Sequence, residues 1–213
     1  MNSALRHECL IHDGPPSRHL PALAAAAKTK LNDGYRCLYL NSPVMVAGMR
    51  SYLAASGLDV AYEVARASLV LSSDQSHLTA RRFDVARMMA KLEDAVNQAL
   101  DDGFRGLWAT GDMAWEFGPE ADFSKLFEYE WRLEEFFRRQ PAISGICQYH
   151  CDTLPEIAMQ QGVAMHPSIF LNETLSRINP NYLRNESFAS VIKENPALQL
   201  AVTQLCRMHD SAN

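Results

Sequence analysis

The sequence lacks a long hydrophobic run, an excess of basic residues and any low-complexity tract. No apolar run approaches the ~20 residues that a membrane-spanning helix requires. The first ten residues, MNSALRHECL, have neither the basic start nor the apolar run of a signal peptide. The formal net charge of −5 provides no general attraction to phosphate backbones. We therefore expect a cytoplasmic protein with no membrane partner and no direct nucleic-acid partner.

Cysteine is scarce and odd in number, with five residues in a chain of 213. Cys9, Cys37 and Cys147 fall in apolar runs that are typical of buried strands. Because the count is odd and no leader is visible, the sequence indicates reduced thiols. A redox pair of Cys147 and Cys151 is the alternative, although nothing in the sequence indicates a lowered thiol pKa.

Short apolar runs alternate with longer amphipathic ones along the chain, and glycine, proline or asparagine separates many of them. The pattern predicts strands over 8–12, 35–40, 67–71, 106–110, 143–149 and 168–171, and helices over 20–31, 44–56, 84–101, 123–139 and 155–161. Strands that alternate with helices and mostly lack two-sided alternation predict an open, mostly parallel sheet with helices on both faces. The predicted fold class is therefore α/β.

The pattern weakens after Asn172. Residues 188–208 look helical, with a break at Asn195-Pro196. We expect an α/β domain over 1–173 and a C-terminal helical extension over 174–213. The extension packs back on the core or mediates a homodimer, and the sequence does not decide between these two arrangements.

The stretch CLIHDGPPSRHLPALAAAAKTKL, residues 9–31, has the layout of a phosphate-binding loop, with an apolar strand, a Gly-Pro-Pro turn and an Ala-rich helix. A functional loop reads G-x-x-x-x-G-K-[ST]. Counted from Gly14, the second glycine, lysine and hydroxyl positions hold His19, Leu20 and Pro21. Leucine cannot neutralise a phosphate, and proline supplies neither a hydroxyl nor an amide donor. We therefore do not expect hydrolysis of ATP or GTP.

Polar and aromatic residues nevertheless follow the predicted strands, where ligands settle in open α/β sheets. They are His12 and Asp13, Asn41, Asp112 with Trp115, and Gln148-Tyr149-His150. This composition predicts a small-molecule pocket with a few fixed hydrogen-bond partners. An enzyme or a degenerate nucleotide-binding protein that uses the same crevice is the alternative.

Two groups of metal-ligating residue types stand out, namely His7, Cys9 and His12, and Cys147, His150 and Cys151. Along a strand, however, His7 and Cys9 share one face whereas His12 takes the other, so these three cannot converge locally. The spacing of Cys147 and Cys151 is not that of a zinc ribbon. We therefore predict neither a metal site nor another cofactor.

Six motifs, in this order, resemble the MEDS domain, the sensory domain named for methanogens, methylotrophs and the DcmR regulator: HECLIHD, GYRCLYL, GLWATGDMAWEF, FEYEWRLEEFF, ICQYHCDTLP and MHPSIFL. The resemblance covers roughly residues 6–171. It implies a RecA/KaiC-like α/β domain that has lost its phosphate-binding motif. Members of the family are joined to helix-turn-helix or histidine-kinase modules and are regarded as sensors of small molecules, including hydrocarbon derivatives and one-carbon compounds.

The resemblance and the strand ends together give the predicted ligand-binding residues, which are His7, Cys9, His12, Asp112, Trp115, Glu130, Gln148, Tyr149 and His166. For Glu130, two interpretations remain equally open: a carboxylate that lines the pocket, or a solvated charge on the outer face of its helix. The first motif commonly ends in an aromatic residue where this chain has His12, and the GDM position is more often GEM, so ligand identity is not transferred. We expect a non-enzymatic sensor of a small organic ligand whose output is a separate regulator or histidine kinase.

Overall fold

The computed structural model describes residues 6–73, 78–79, 82–114, 125–183 and 195–207. Its strands are β1 (His7–His12), β2 (Arg36–Leu40), β3 (Leu69–Ser72), β4 (Leu78–Thr79), β5 (Arg82–Phe83), β6 (Leu107–Asp112), β7 (Ile143–His150), β8 (Ser168–Asn172) and β9 (Leu175–Ile178). Its α-helices are α1 (Leu20–Asn32), α2 (Pro43–Ala55), α3 (Val60–Ala65), α4 (Val85–Asp101), α5 (Leu126–Arg139), α6 (Glu156–Met165) and α7 (Pro196–Arg207).

Seven strands form one sheet in the order β3-β2-β6-β7-β1-β8-β9. All neighbours pair in parallel except β9, which is antiparallel to β8. The short strands β4 and β5 pair separately with each other. The predicted open, mostly parallel α/β sheet is confirmed, whereas its descent from RecA/KaiC-like proteins stays a prediction.

Helices cover both faces of the sheet. Helices α4, α5, α6 and α7 contribute to one hydrophobic core, and we call this side the α5 face. Helices α1, α2 and α3 contribute to a second core on the opposite side, the α1 face. Trp108, on β6, is buried on the α1 face. Because side chains alternate along a strand, neighbouring residues of β1 and β7 belong to different cores.

Local sequence explains where several helices begin. Ser42 caps α2 by accepting a hydrogen bond from the backbone N–H of Met45, and Pro43 follows at the first helical position, as the Ser-Pro pair predicts. The sequence pattern missed α3, because six residues are too few to show a helical period. Ala67 adopts φ +59° after α3, so strand β3 begins at Leu69 rather than at the expected residue 67.

The C-terminal segment packs on the domain. Strand β9 extends the sheet beyond β8. On α7, the side chains of Leu198, Val202 and Leu205 are buried in the core of the α5 face. The expected helix over 188–208 is confirmed from Pro196, and its first part lies outside the described residues. In the part of the chain that the structure describes, no helix has the length and apolar character needed to cross a membrane.

A disulfide joins Cys151, just after β7, to Cys206 on α7. The expectation of reduced thiols is therefore wrong for this pair, although Cys9, Cys37 and Cys147 form no disulfide and are buried as expected. The alternative pairing of Cys147 with Cys151 is also wrong. The two bonded cysteines are 55 residues apart, so their contact depends on how α7 docks and has no local signature.

Candidate functional site

The predicted ligand-binding residues divide between the two faces of the sheet. The predicted residues on the α5 face are His7, Cys9, Glu130, Tyr149 and His166. His12 and Gln148 point to the α1 face, and Asp112 ends β6 beside Gln148. Trp115 lies outside the described residues. The structure therefore does not bring the predicted set together into one pocket.

Four side chains on the α5 face converge, and we call His7, Glu130, Cys147 and His166 the interior cluster. One ligand-type atom from each lies within 4.8 Å of every other. Nε2 of His166 is 3.4 Å and Nε2 of His7 is 3.7 Å from Oε2 of Glu130. Sγ of Cys147 is 3.6 Å from Nε2 of His7. All four residues are buried, so the cluster lies in the protein interior rather than at the strand ends.

The second nitrogen of each cluster histidine is held by an acceptor. Nδ1 of His166 donates to the backbone carbonyl of Gly162 at 2.6 Å. Nδ1 of His7 lies 2.8 Å from Oε2 of Glu134, whose other oxygen accepts from the Tyr182 hydroxyl at 2.6 Å. A carbonyl oxygen can only accept, so Nδ1 of His166 carries the hydrogen. Nδ1 of His7 likewise donates to Glu134. In both rings, Nε2 is therefore the unprotonated nitrogen, and it faces the cluster.

Glu130 has one close hydrogen bond, from Tyr149, and a weaker interaction with the Cys147 thiol. Its Oε1 accepts a hydrogen bond from the Tyr149 hydroxyl. Its Oε2, like Nε2 of His166, has no hydrogen-bond partner among the described residues. The Tyr149 ring lies against α6, where a Cβ at Gly162 would come within 2.5 Å of the ring. The absence of a side chain at Gly162 therefore lets Tyr149 reach Glu130.

Burial sets the protonation of the cluster. It raises the pKa of Glu130 to about 8, against the opposing effect of the Tyr149 hydrogen bond. It lowers the pKa of His7 to about 3, and it lowers the pKa of His166 well below its ordinary value. The separations of 3.4 and 3.7 Å would suit ion pairs, but burial favours the neutral forms. In the metal-free protein at neutral pH, these three groups are therefore neutral.

Cys9 lies beside the interior cluster but is not part of it. It pairs in register with Cys147 across β1 and β7 and is fully buried. Burial raises the pKa of its thiol above the ordinary value. The residue therefore packs as a small apolar side chain, which is the alternative that its place in a buried strand favours.

Three histidine rings occupy the strand end where a phosphate-binding loop would hold its ligand. His12, at the end of β1, lies with its ring 3.8 Å from the ring of His19, which precedes α1. The ring of His150 lies 4.7 Å from His12 in an edge-on arrangement, and its Nε2 is 3.1 Å from the Gly14 carbonyl. His19 is the residue that replaces the second glycine of the motif. Side chains thus fill space that a phosphate-binding loop leaves to its ligand.

The other residues of this strand end have structural partners. Gln148 donates through Nε2 to the Thr110 hydroxyl at 2.8 Å, and Thr110 donates to the Ile146 carbonyl at 2.7 Å. Oε1 of Gln148 is buried without a hydrogen-bond partner among the described residues. Asp112 accepts from the backbone N–H of Ala114 at 2.7 Å and so stabilises the turn after β6.

A cavity of about 30 Å³ lies on the α5 face, between α4, α5, β6 and β7. Nine of its twelve lining residues are apolar, among them Leu92, Met113 and Phe137. The others are Thr110, Tyr129 and Cys147. Cys147 therefore borders both the cavity and the interior cluster.

Sequence reasoning missed Glu134, Tyr182 and the part that Gly162 plays. Glu134 follows Glu130 by one helical turn, so the i, i+4 spacing places both carboxylates on one face of α5 and was a usable signal. The Gly162 carbonyl and the Tyr182 hydroxyl have no such signal, because their contacts with the histidine and glutamate side chains come from distant parts of the chain.

These features define a class: a helix-covered, mostly parallel α/β domain with a buried polar cluster and without the residues of a phosphate-binding loop. The MEDS family model, described as the MEthanogen/methylotroph, DcmR Sensory domain, matches residues 6–167. The chain belongs to this family of sensory domains. Among curated proteins, no match was found.

Proposed function

We propose that this sensory domain binds a small organic molecule of low polarity in the cavity beside Cys147 and passes the signal to a separate regulator, histidine kinase or second copy of itself. The observation that carries this proposal is the cavity itself. Membership in a sensory family supports a sensing role, and the cavity supplies a place for a ligand inside the domain.

The cavity size restricts the ligand. A water molecule needs roughly 10–15 Å³ of such volume, so about 30 Å³ accommodates about two or three water-sized groups. One-carbon compounds, halogenated methanes and the smallest hydrocarbon derivatives have this size. A benzene-sized compound does not fit without rearrangement of the walls.

The cavity lining restricts ligand polarity. Most of the wall is apolar, and the Thr110 hydroxyl already donates to the Ile146 carbonyl. A strongly polar molecule would lose its hydrogen bonds with water and recover few of them here. A weakly polar ligand gains from burial and can still use the edge of the cavity at Cys147.

A signal would leave the domain through the helices that enclose the cavity. Helices α4 and α5 both contribute to its wall, through Leu92 and through Leu133 and Phe137. A ligand that binds one arrangement of these helices more tightly raises the population of that arrangement. A partner protein that contacts this arrangement completes the relay.

Thermal shift with the full chain tests the proposal. A ligand present at one hundred times its dissociation constant adds about 2.7 kcal/mol, which for a chain of this size raises the unfolding temperature by about 5–11 °C. We expect such shifts for one-carbon, halogenated and two-carbon compounds and none for benzene.

The variant Ala109→Val fills the cavity and should abolish the shift, because Ala109 lines it. The matched control is Ala54→Val, at an exposed position on α2, and it should respond as the wild type does. Equal responses of both variants would contradict the proposed site. A shift with ATP·Mg²⁺ and none with the small compounds would favour the nucleotide-binding alternative.

A further inference from the structure

The interior cluster offers four metal-ligating atoms of three kinds. They are two imidazole nitrogens from His7 and His166, a carboxylate oxygen from Glu130 and a sulfur from Cys147. The atoms come from β1, α5, β7 and the residue after α6, so no short sequence motif contains them. Sequence reasoning considered only metal ligands close together in the chain and could not find this set.

The orientation of the cluster histidines is the one that metal sites require. In such sites, the ligating nitrogen faces the ion and the other nitrogen donates to a carboxylate or a carbonyl. Here Glu134 accepts from His7 and the Gly162 carbonyl accepts from His166. The hydrogen bond of Tyr182 to Glu134 fixes that carboxylate in turn. The outer shell of a metal site is therefore present.

Separations within the cluster distinguish a coordination shell from a set of direct hydrogen bonds. A hydrogen bond between oxygen and nitrogen spans about 2.7–3.2 Å, whereas Oε2 of Glu130 lies 3.4 and 3.7 Å from the two imidazole nitrogens. In a tetrahedral zinc site with bonds of about 2.0–2.1 Å to nitrogen and oxygen and about 2.3 Å to sulfur, neighbouring ligand atoms lie about 3.3–3.6 Å apart. The 3.6 Å between Sγ of Cys147 and Nε2 of His7 agrees with this geometry, and in the metal-free protein the same contact is a thiol-to-imidazole hydrogen bond.

Unpartnered buried atoms also point to a cation. Oε2 of Glu130 and Nε2 of His166 are fully buried and have no hydrogen-bond partner among the described residues. Once Glu130 is ionised, both atoms are acceptors that face each other, and leaving buried acceptors without partners is costly. An ion between them would satisfy both at once.

We propose that His7, Glu130, Cys147 and His166 bind a divalent cation in a closed, four-coordinate site, and that the ion is Zn²⁺. Mixed nitrogen, oxygen and sulfur ligands in a tetrahedral arrangement suit this borderline ion, whereas Mg²⁺ and Ca²⁺ prefer oxygen alone. Four protein ligands make the site structural in type. The site would join β1, β7 and α5 beneath the wall of the cavity.

The test uses the full-length, tag-free protein. Metal content is measured after expression in zinc-supplemented medium, and then the chelator-treated protein is titrated with Co²⁺. We expect about one equivalent of zinc per chain, and with Co²⁺ a saturable band of thiolate-to-metal charge transfer that Zn²⁺ abolishes. Metal at background level together with no saturable cobalt band would overturn the proposal.

Matched variants identify the ligands. Cys147→Ser should lose the charge-transfer band, whereas Cys9→Ser, at the neighbouring buried thiol, should keep it. His166→Gln should lose tight binding, whereas His19→Gln, at a buried histidine of the other face, should keep it. Glu134→Gln should retain one equivalent and bind about 10–100-fold more weakly, because it changes only the outer shell. Wild-type binding by both Cys147→Ser and His166→Gln would overturn the assignment.

X-ray absorption of the zinc-loaded wild type keeps the test decisive even if a variant fails to fold. We expect one sulfur at about 2.3 Å and three nitrogen or oxygen neighbours at about 2.0–2.1 Å. A first shell without sulfur would contradict the site. Because these measurements use no organic compound, metal binding can fail while the cavity still binds its ligand, and the reverse result is equally distinguishable.

Discussion

Gly162→Ala should destabilise the protein, although alanine is ordinarily the better helix residue. Within a helix, alanine is favoured over glycine by about 1 kcal/mol. At Gly162, however, a Cβ would lie 2.5–2.9 Å from three atoms of the Tyr149 ring. The ring is fully buried and its hydroxyl is bonded to Glu130, so it cannot move aside cheaply. Overpacking of this kind costs about 1–3 kcal/mol, and we expect this cost to exceed the gain in helix propensity.

The matched control is Gly48→Ala, on α2. Its Cβ would meet only the end of the flexible Leu20 side chain, at 2.9 Å. This variant should be as stable as the wild type or up to about 1 kcal/mol more stable. Urea denaturation measures both free energies of unfolding. In a Tyr149→Leu background, Gly162→Ala should cost less, because the ring is gone. A Gly162→Ala variant as stable as Gly48→Ala would refute the packing that positions Tyr149 against Glu130.

Two further predictions concern the disulfide and pH. Reduction, or Cys206→Ser, should lower the free energy of unfolding by about 2–4 kcal/mol, because the bond between Cys151 and Cys206 closes a long loop. A reductant should not lower the stability of the Cys206→Ser variant any further. A wild type whose stability does not change on reduction would contradict the disulfide. In the metal-free protein, stability should peak near pH 6.5. Between about pH 4.5 and 6.5 the unfolded chain protonates both His7 and His166, because burial lowers the pKa of His7 to about 3 and that of His166 well below its ordinary value. The folded chain keeps only one extra proton, on Glu130 with its pKa of about 8, so stability rises with pH in this interval. Above about pH 6.5 the histidines are neutral in both states and only the extra Glu130 proton remains, so stability falls as pH rises to about 8. Glu130→Gln should remove the loss between pH 6.5 and 8, and a wild-type free energy that stays level over this interval would count against the buried neutral carboxyl.

The sheet and its helical layers could be predicted because each strand and helix carries its own period. The strand period also places His7 and Cys9 on one face and His12 on the other, and the structure has this arrangement. Element α3 and the late strand β9 are too short for such a signal. The disulfide between Cys151 and Cys206 needs the docked position of α7, which no local pattern contains.

The site was less accessible to sequence reasoning than the fold. Most residues of the predicted set lie near the interior cluster or near the strand end. We expected a single crevice because ligands of open α/β sheets bind at the carboxyl ends of the strands, and this rule does not consider the protein interior. His7, Glu130 and His166 come from separate elements, and their contact depends on the close approach of α5 and α6 to the sheet. Whether Glu130 was solvated or enclosed could not be decided from the charge pattern of its helix, and the structure buries it completely.

The interior cluster and the cavity share Cys147, which suggests how metal and ligand binding would influence each other. A bound ion would hold the thiol in one position and so define one end of the cavity wall. Without the ion, the Cys147 side chain at that end of the cavity wall could change its position. The organic ligand should therefore bind more tightly to the zinc-loaded protein than to the protein from which a chelator has removed zinc. Thermodynamic linkage then requires that the organic ligand strengthen zinc binding by the same factor.

The most direct test of the central claim is a methyl NMR titration with a compound that raises the unfolding temperature. Met113 lines the cavity, whereas Met49 is buried in the core of the opposite face. The account predicts that the Met113 methyl resonance shifts saturably, with the dissociation constant that thermal shift gives, while Met49 is unaffected. A stabilising compound that leaves Met113 unchanged and shifts Met49 would contradict the account.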